Sequence, residues 1–142
     1  MEAKRIINGT NGELWLDGEQ VAEISGFQAK VNITKETVNL CGQYAEDSKV
    51  VGYAGKGSVK MYKVNSRMAI KIADQLKQGR DTRFTMISKL VDPDSYGAER
   101  VVIKNVSLDD LTLADWEAKK AGTIESPFTF TDYEFLDMIE VR

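Results

Sequence analysis

The residue types that most often carry catalysis or bind metals are nearly absent from this sequence. Its 142 residues include no histidine, the commonest general base and metal ligand in proteins. Cys41 is the single cysteine, which excludes an internal disulfide and argues against a structural zinc site. A serine or cysteine nucleophile would need another base, and no motif supplies one. We therefore expect no catalytic residues, no metal and no cofactor.

One glycine-rich segment, residues 52–58, superficially resembles a phosphate-binding loop. A Walker loop needs a strand before it, a helix after it, and Ser or Thr directly after its lysine. Here Gly57 follows Lys56, and the next element is predicted to be a strand. A flexible loop is the better interpretation of this segment.

Acidic residues suggest a site at two further places. Residues 92–97 begin like a calcium loop, but Ile103 occupies the twelfth place, where a bidentate Glu is expected. A type I turn with proline at its second position explains this segment better. Asp109 and Asp110 are adjacent, so neither a strand nor a helix directs both carboxylates at one substrate. We expect both to be solvated.

Length and composition favour one soluble domain spanning residues 1–142. Apolar residues make up 42% of the chain and charged residues 29%, with a net charge of −3. The weakly acidic balance argues against a dedicated nucleic-acid binder. No apolar run approaches the ~20 residues of a membrane-spanning helix, and the amino terminus lacks a signal peptide's apolar stretch. We expect synthesis in the cytoplasm and no membrane insertion.

Most of the sequence predicts strands and hence a mainly β (α+β) fold. Residues 13–16 and 20–24 flank Asp17-Gly18, a hairpin signal because both positions tolerate positive φ. The next strand alternates apolar Phe27, Ala29, Val31 and Ile33 with polar Gln28, Lys30, Asn32 and Thr34. This period of two predicts one buried face and one wet face. Extended structure is also predicted at residues 37–41, 59–64, 83–91, 99–106 and 126–135.

Residues 42–58 interrupt this pattern with four glycines and little periodicity. Most connections inside a compact domain are roughly 4–6 residues long. Three interpretations stay open: disorder, a lid, or an arm that another subunit orders. The segment has too little apolar content to fold alone, so its apolar side chains are candidate anchors on a partner.

One helix is predicted, from Arg67 to Gln78. Ser66 suits its N-cap, and Gly79 after Lys77 supplies a typical end. Its apolar stripe at helical spacing consists of Ala69, Ile72, Ala73 and Leu76. Residues 107–121 fit either a short helix or a strand.

Six segments carry a resemblance to a known family. They are Gly12-Glu-Leu-Trp-Leu-Asp-Gly-Glu19, Val21-Ala-Glu-Ile24, Val38-Asn-Leu-Cys-Gly42, Gly55-Lys-Gly-Ser-Val-Lys-Met-Tyr-Lys-Val64, Gly97-Ala-Glu-Arg-Val-Val-Ile103 and Pro127-Phe-Thr-Phe-Thr-Asp-Tyr133. In this order, with one helix among them, they resemble the phage tail tube protein family of PBSX-type prophages with contractile tails, the XkdM-like group. Residues 108–124 match least well.

The resemblance implies a small antiparallel β-barrel or sandwich with one flanking helix, like tail tubes and Hcp-type tubes. It implies a non-enzymatic subunit whose hexameric rings stack into the hollow inner tube of a contractile phage tail or phage-tail-like particle. The expected partners are copies of itself, the sheath and the tape-measure protein. DNA or effectors would pass through the bore without specific binding. We expect a location in the virion tail or particle and no small-molecule substrate.

The resemblance also implies roles for two sets of residues. A long loop or hairpin arm at about residues 42–58 would reach a neighbouring subunit or ring, and a wet strand face would line the bore. The candidate arm residues are Tyr44, Val50, Val51, Tyr53, Gly55 and Gly57. The candidate bore-lining residues are Gln28, Lys30, Asn32 and Thr34. Closing a ring would pair sheet edges that an isolated subunit leaves open.

Two other functions compete with this hypothesis. The first is a stand-alone ligand-binding or regulatory β-barrel, with the glycine-rich segment as a lid over a pocket. The second is an enzyme that uses carboxylates alone. A tube protein forms rings or tubes as its concentration rises, whereas a ligand-binding barrel stays monomeric.

Overall fold

The computed structural model describes residues 2–63, 67–93 and 97–139 of the chain. Two 3-10 turns, Ala3–Arg5 and Gly9–Asn11, precede the first strand. The regular elements are β1 Gly12–Leu16, β2 Glu19–Gln20, β3 Ile24–Val38, β4 Asp47–Tyr62, α1 Arg67–Lys77, β5 Phe84–Val91, β6 Ala98–Leu108, β7 Thr123–Phe130 and β8 Asp132–Asp137. The predicted mainly β class with one helix is confirmed.

The described strands form one antiparallel sheet in the order β2-β1-β5-β6-β7-β4-β3. Strand β6 has two partners along one side: β8 along Arg100–Lys104, and β7 at Ser107 and Leu108. Between them the chain bends at Thr131, whose Oγ1 accepts a hydrogen bond of 2.8 Å from Nδ2 of Asn105. The bend turns β7 away to pair with β4. No pairing among the described residues joins β3 to β1 or β2, so this sheet is open rather than a closed barrel.

The folded sheet encloses one apolar core. The buried side chains that form it come from every strand except β2, β3 and β8, from the helix, and from the connection between β2 and β3. They are Leu14, Leu16, Val21, Val59, Met61, Ile72, Phe84, Met86, Ile103, Val106, Phe128 and Phe130. Phe27, Ala29 and Val31 of β3 pack against this core while partly exposed.

The Asp17-Gly18 hairpin forms as predicted, although its second strand has only two residues. Asp17 has φ 49° and Gly18 φ 87°, the positive values that a tight two-residue turn needs. Trp15 pairs with Gln20, and the chain then crosses to β3. Asp17 also exchanges two hydrogen bonds with Thr85, each 2.9 Å, which ties the turn to β5: its N–H donates to the Thr85 carbonyl, and its Oδ1 accepts from the Thr85 N–H.

The helix lies where it is predicted, but its packing face is narrower than the apolar stripe. Ile72 is buried and Ala73 is partly buried, whereas Leu76 is 64% exposed. Gly79 ends the helix with φ 73° and donates its N–H to the carbonyl of Leu76. The residues of the last helical turn are exposed and do not belong to the core. The proposed N-cap at Ser66 lies outside the described residues.

The prediction of a long irregular connection at residues 42–58 was wrong for most of that segment. Only residues 39–46 are irregular, and β4 runs without a break from Asp47 to Tyr62. The flexible-loop interpretation of residues 52–58 is therefore also wrong. Strand periodicity is hidden there because Gly55 and Gly57 lack the side chains that would mark the buried face. In residues 47–54 both faces meet solvent.

Smaller differences appear towards the carboxyl end. Neither alternative for residues 107–121 is correct beyond Leu108, because the chain from 109 to 122 contains no helix or strand. The strand predicted at residues 126–135 is divided at Thr131 into β7 and β8. Part of the turn predicted at residues 92–97, residues 94–96, lies outside the described residues.

Candidate assembly surface

The β3–β4 hairpin has two parts with different surroundings. In the part that we call the base, residues 24–31 pair with residues 55–61, and β7 pairs along the other side of β4. In the part that we call the arm, residues 32–54, β3 and β4 pair only with each other among the described strands. The arm begins opposite Phe130, where β7 ends.

The arm extends away from the core with almost no burial. The paired residues 32–38 and 47–54 give it a length of about 25 Å at the rise of a β-strand. Every residue from 32 to 54 except Gly52 is exposed. A two-stranded hairpin with no third strand or helix against it is marginally stable in water. The arm therefore needs a further surface to be held in place.

Four of the six predicted arm residues lie on the arm, and their apolar side chains are exposed to solvent. Tyr44 lies in the connection at its tip, and Val50, Val51 and Tyr53 lie on β4; each is more than half exposed. Ile33, predicted on the buried face of β3, pairs with Tyr53 and is 58% exposed. The apolar face of the hairpin thus continues beyond the core that could cover it.

The other two predicted arm residues, Gly55 and Gly57, lie in the base. A Cβ atom on Gly55 would stand 2.5 Å from Cε2 of Phe130. One on Gly57 would stand 2.5 Å from Cζ of Phe128 and would clash with the carbonyl oxygen of Gln28. Both glycines therefore make room for the rings of β7. Their position supports packing of the core, whereas the remaining four lie where a partner could reach them.

An apolar groove adjoins the arm. The ring of Tyr53 meets Tyr133 of β8 edge-on at 6.4 Å, and Tyr133 meets Phe135 in the same manner at 6.0 Å. The Tyr53 hydroxyl donates a hydrogen bond of 2.9 Å to the Thr131 carbonyl. Both β8 rings remain exposed and line a groove with Phe27, Ala29, Val31, Leu90, Val101 and Phe130. This groove lies between β3 on one side and β5, β6 and β8 on the other.

Ile33, Tyr133 and Phe135 are surface residues that were not predicted from the sequence. A usable signal existed in the last strand region. Aromatic residues recur there at Phe128, Phe130, Tyr133 and Phe135. This pattern is longer than a single strand that packs on the core. The first two are buried and the last two are exposed, which marks where the core ends.

The four predicted bore-lining residues share the outer face of β3. Gln28, Lys30, Asn32 and Thr34 are all exposed, and they alternate with residues that face the core or groove. The residues directly opposite them on β4 are Ser58, Lys56, Ala54 and Gly52. On this face β3 is polar from Gln28 to Thr34, and the opposite residues of β4 are small except for Lys56. The orientation of this face towards a bore stays a prediction.

The described residues provide no sign of a catalytic or metal site. They contain no group of three or more potential metal-binding side chains, and Cys41 is exposed in the connection of the arm. Asp109 and Asp110 are exposed, as predicted. None of the described helices is long and apolar enough to span a membrane.

Comparisons with known proteins point to one family. A family model described as "Phage tail tube protein" matches residues 1–137. The chain is also 36% identical, over 136 residues, to the phage-like element PBSX protein XkdM of Bacillus subtilis (strain 168). That match covers 94% of this chain and 92% of the relative.

Two solved structures with a similar fold come from an anti-feeding prophage and from an extracellular contractile injection system. The anti-feeding prophage cap, the AFP tube terminating cap, matches with a TM-score of 0.73 at 12% identity, covering 97% of this chain and 95% of the other. A chain of the sheath-tube complex of the extracellular contractile injection system PVC, in its extended state, matches with a TM-score of 0.71 at 6% identity. This second match covers 93% of this chain and 92% of the other. At these identities the likeness is one of fold.

Proposed function

Because this chain belongs to the phage tail tube protein family, we propose that it builds the inner tube of a contractile phage tail or phage-tail-like particle. Copies form hexameric rings, and the rings stack into a hollow tube that DNA or effectors traverse. A sheath surrounds the tube, and a tape-measure protein accompanies it. The subunit is made in the host cytoplasm and acts without catalysis.

The observation that carries this proposal is the apolar surface shared by the arm and the groove. Ile33, Val50 and Tyr53 on the arm, and Tyr133 and Phe135 beside it, remain exposed in the single chain. Covering the exposed half of each such side chain contributes roughly 1 kcal/mol. A neighbouring copy that covers several of them would offset the marginal stability of the isolated hairpin.

The open borders of the sheet support the same proposal. Strand β3 has β4 as its only partner among the described strands, and β2 ends the sheet on the other side. Unpaired strand edges of this kind invite pairing with another chain. A head-to-tail contact between different edges closes into a ring when its rotation fits a cyclic symmetry.

Removing the arm tests its role directly. Replacing residues 35–51 by Asn-Gly joins Thr34 to Gly52, which already lie opposite each other, through a two-residue turn. Strand β4 from Gly52 to Tyr62 and all core contacts remain. We expect a folded subunit that no longer stacks. Light scattering after size-exclusion chromatography would report the oligomeric state, and negative-stain images would show whether tubes form.

A charge on the apolar face provides a milder test with a matched control. Val50→Asp places a carboxylate opposite Lys35 on the face that carries Ile33 and Tyr53, whereas Thr34→Asp adds the same charge on the opposite, polar face. We expect Val50→Asp to raise the concentration needed for assembly at least tenfold and Thr34→Asp to change it little. Long tubes from the armless variant would refute the role of the arm. A wild-type monomer at every concentration would favour the ligand-binding barrel.

A further inference from the structure

Three lysines form a basic row on the outer face of the hairpin base. Lys30 and Lys56 are directly opposite each other on β3 and β4, and Lys60 lies four residues further along β4. All three are exposed. We propose that this basic row contacts the backbone phosphates of DNA in the bore, an inference that rests on the proposed tube function.

The positive charge of the row is not neutralised by acidic side chains in the part of the same subunit that the structure describes. None of the ion pairs among the described residues involves Lys30, Lys56 or Lys60. Directly opposite residues in an antiparallel pair have Cβ atoms about 5 Å apart, and like charges in that position destabilise the pair. Glu125, opposite Lys60 on β7, is the acidic residue nearest in register, and the two make no ion pair. The two facing lysines thus lower stability unless an anion lies between them.

The neighbouring side chains suit a phosphate backbone better than a protein surface. Gln28, Asn32 and Ser58 lie beside or between the lysines on the same face, and Thr129 is opposite Lys56 on β7. Such amide and hydroxyl side chains, together with lysine, make most contacts to phosphate oxygens. The row contains no aromatic or large aliphatic side chain that would anchor an acidic protein. The surface therefore matches DNA held without sequence preference.

The row would bind DNA weakly, so that DNA could still move along the bore. Lys56 and Lys60 are separated by about 13 Å along the strand, more than the Debye length of ~10 Å at 0.1 M salt. The lysines therefore act as separate charges, each subunit neutralises at most about three phosphates, and its affinity for DNA is low and falls as the salt concentration rises. A ring repeats the row around the bore, so that DNA meets the same weak contact at every subunit as it moves.

The salt dependence of DNA binding tests this proposal. The probe is a fluorescein-labelled duplex of about 20 base pairs, titrated by anisotropy between about 20 and 150 mM NaCl. Each lysine that contacts a phosphate contributes about 0.9 to the slope of log K against log salt. We expect Lys30→Gln with Lys56→Gln to lower that slope by about 2. The matched control, Lys77→Gln with Lys119→Gln, removes the same charge elsewhere and should leave the slope unchanged.

The outcomes separate this inference from the tube function. Equal slopes for the wild type and the Lys30/Lys56 variant, or an equal loss in the control, would overturn the basic row as a DNA contact. Displacement of the duplex by polyglutamate at the same charge concentration would also overturn it, in favour of an acidic protein. Light scattering on the same samples reports assembly. If DNA binding depends on the lysines but no rings form, only the proposed tube function is contradicted. If rings form but DNA binding does not depend on the lysines, only the proposed DNA contact is contradicted.

Discussion

The base and the arm of the β3–β4 hairpin consist of the same two strands, yet they differ in nearly every physical respect. In the base, β7 pairs along β4, and Phe128 and Phe130 press against Gly57 and Gly55. In the arm, both faces and both edges are exposed to solvent apart from the contacts of Tyr53 with Tyr133 and Thr131. The change occurs within one or two residues, at the point where β7 ends and the chain continues as β8 along β6.

The same pair of strands thus has two roles: the base stabilises the subunit, and the arm is available for contact with a neighbouring copy. The base belongs to the core, so its side chains contribute to the stability of each subunit. The arm contributes little to that stability and presents apolar side chains that only a neighbour can cover. Substitutions in the base should therefore change the free energy of unfolding, and substitutions in the arm should change assembly instead.

Removal of the Phe128 ring of β7, which packs against the base, should have the largest effect on stability. Phe128 is fully buried, and its ring stacks on Phe27 with centroids 5.8 Å apart. We expect Phe128→Ala to lower the free energy of unfolding by about 4 kcal/mol. Tyr53→Ala in the arm removes a ring of similar size and should cost less than about 1 kcal/mol. Denaturant unfolding at concentrations where the protein is monomeric would measure both. Equal losses would show that the arm unfolds together with the core.

The glycines of β4 provide a comparison with a single methyl group. Gly57→Ala places a Cβ against the Gln28 carbonyl and the Phe128 ring, whereas a Cβ at Gly52 has no neighbour within 4 Å. We expect Gly57→Ala to cost about 2–3 kcal/mol through overpacking. Gly52→Ala should change stability by less than about 0.5 kcal/mol. Similar midpoints in urea for the two variants would contradict the assignment of Gly57 to the base.

The same contrast explains which parts of the fold the sequence predicts. Where one face is buried and the other is wet, as from Phe27 to Val31, alternation predicts the strand. Asp17-Gly18 predicts its turn because few residue pairs tolerate two positive φ values. Neither rule detects residues 47–58. Glycine replaces the buried side chains in the base, and the arm has no buried face to generate a period.

The candidate site was predicted only in part for a related reason. Tyr44, Val50, Val51 and Tyr53 stood out because apolar residues in a glycine-rich segment have no local use. Ile33, Tyr133 and Phe135 continue patterns that also describe a core, so their exposure depends on where β7 ends. That position follows from the bend at Thr131 opposite Asn105, a tertiary contact between distant residues. The pairing of Lys30 with Lys56 likewise required the register of β3 and β4.

The smallest expected effect concerns the charges of the two parts. Lys30 and Lys56 are opposite each other in the base, whereas Glu36 and Lys49 form the corresponding pair in the arm. Lys56→Glu converts the like-charge pair into an opposite-charge pair and should stabilise the subunit by about 0.5 kcal/mol. At about 1 M NaCl this gain should disappear, because exposed charges are then screened within ~3 Å. Thermal unfolding at low and high salt would measure it.

Lys49→Glu makes the reverse change in the arm, where it creates a like-charge pair with Glu36. If the arm opens independently of the core, this substitution should leave the unfolding midpoint unchanged at both salt concentrations. A loss of midpoint equal in size to the gain from Lys56→Glu would mean that arm and base unfold as one cooperative unit. The arm would then be stable without a neighbouring copy, and the strongest physical reason for its contact with one would be lost.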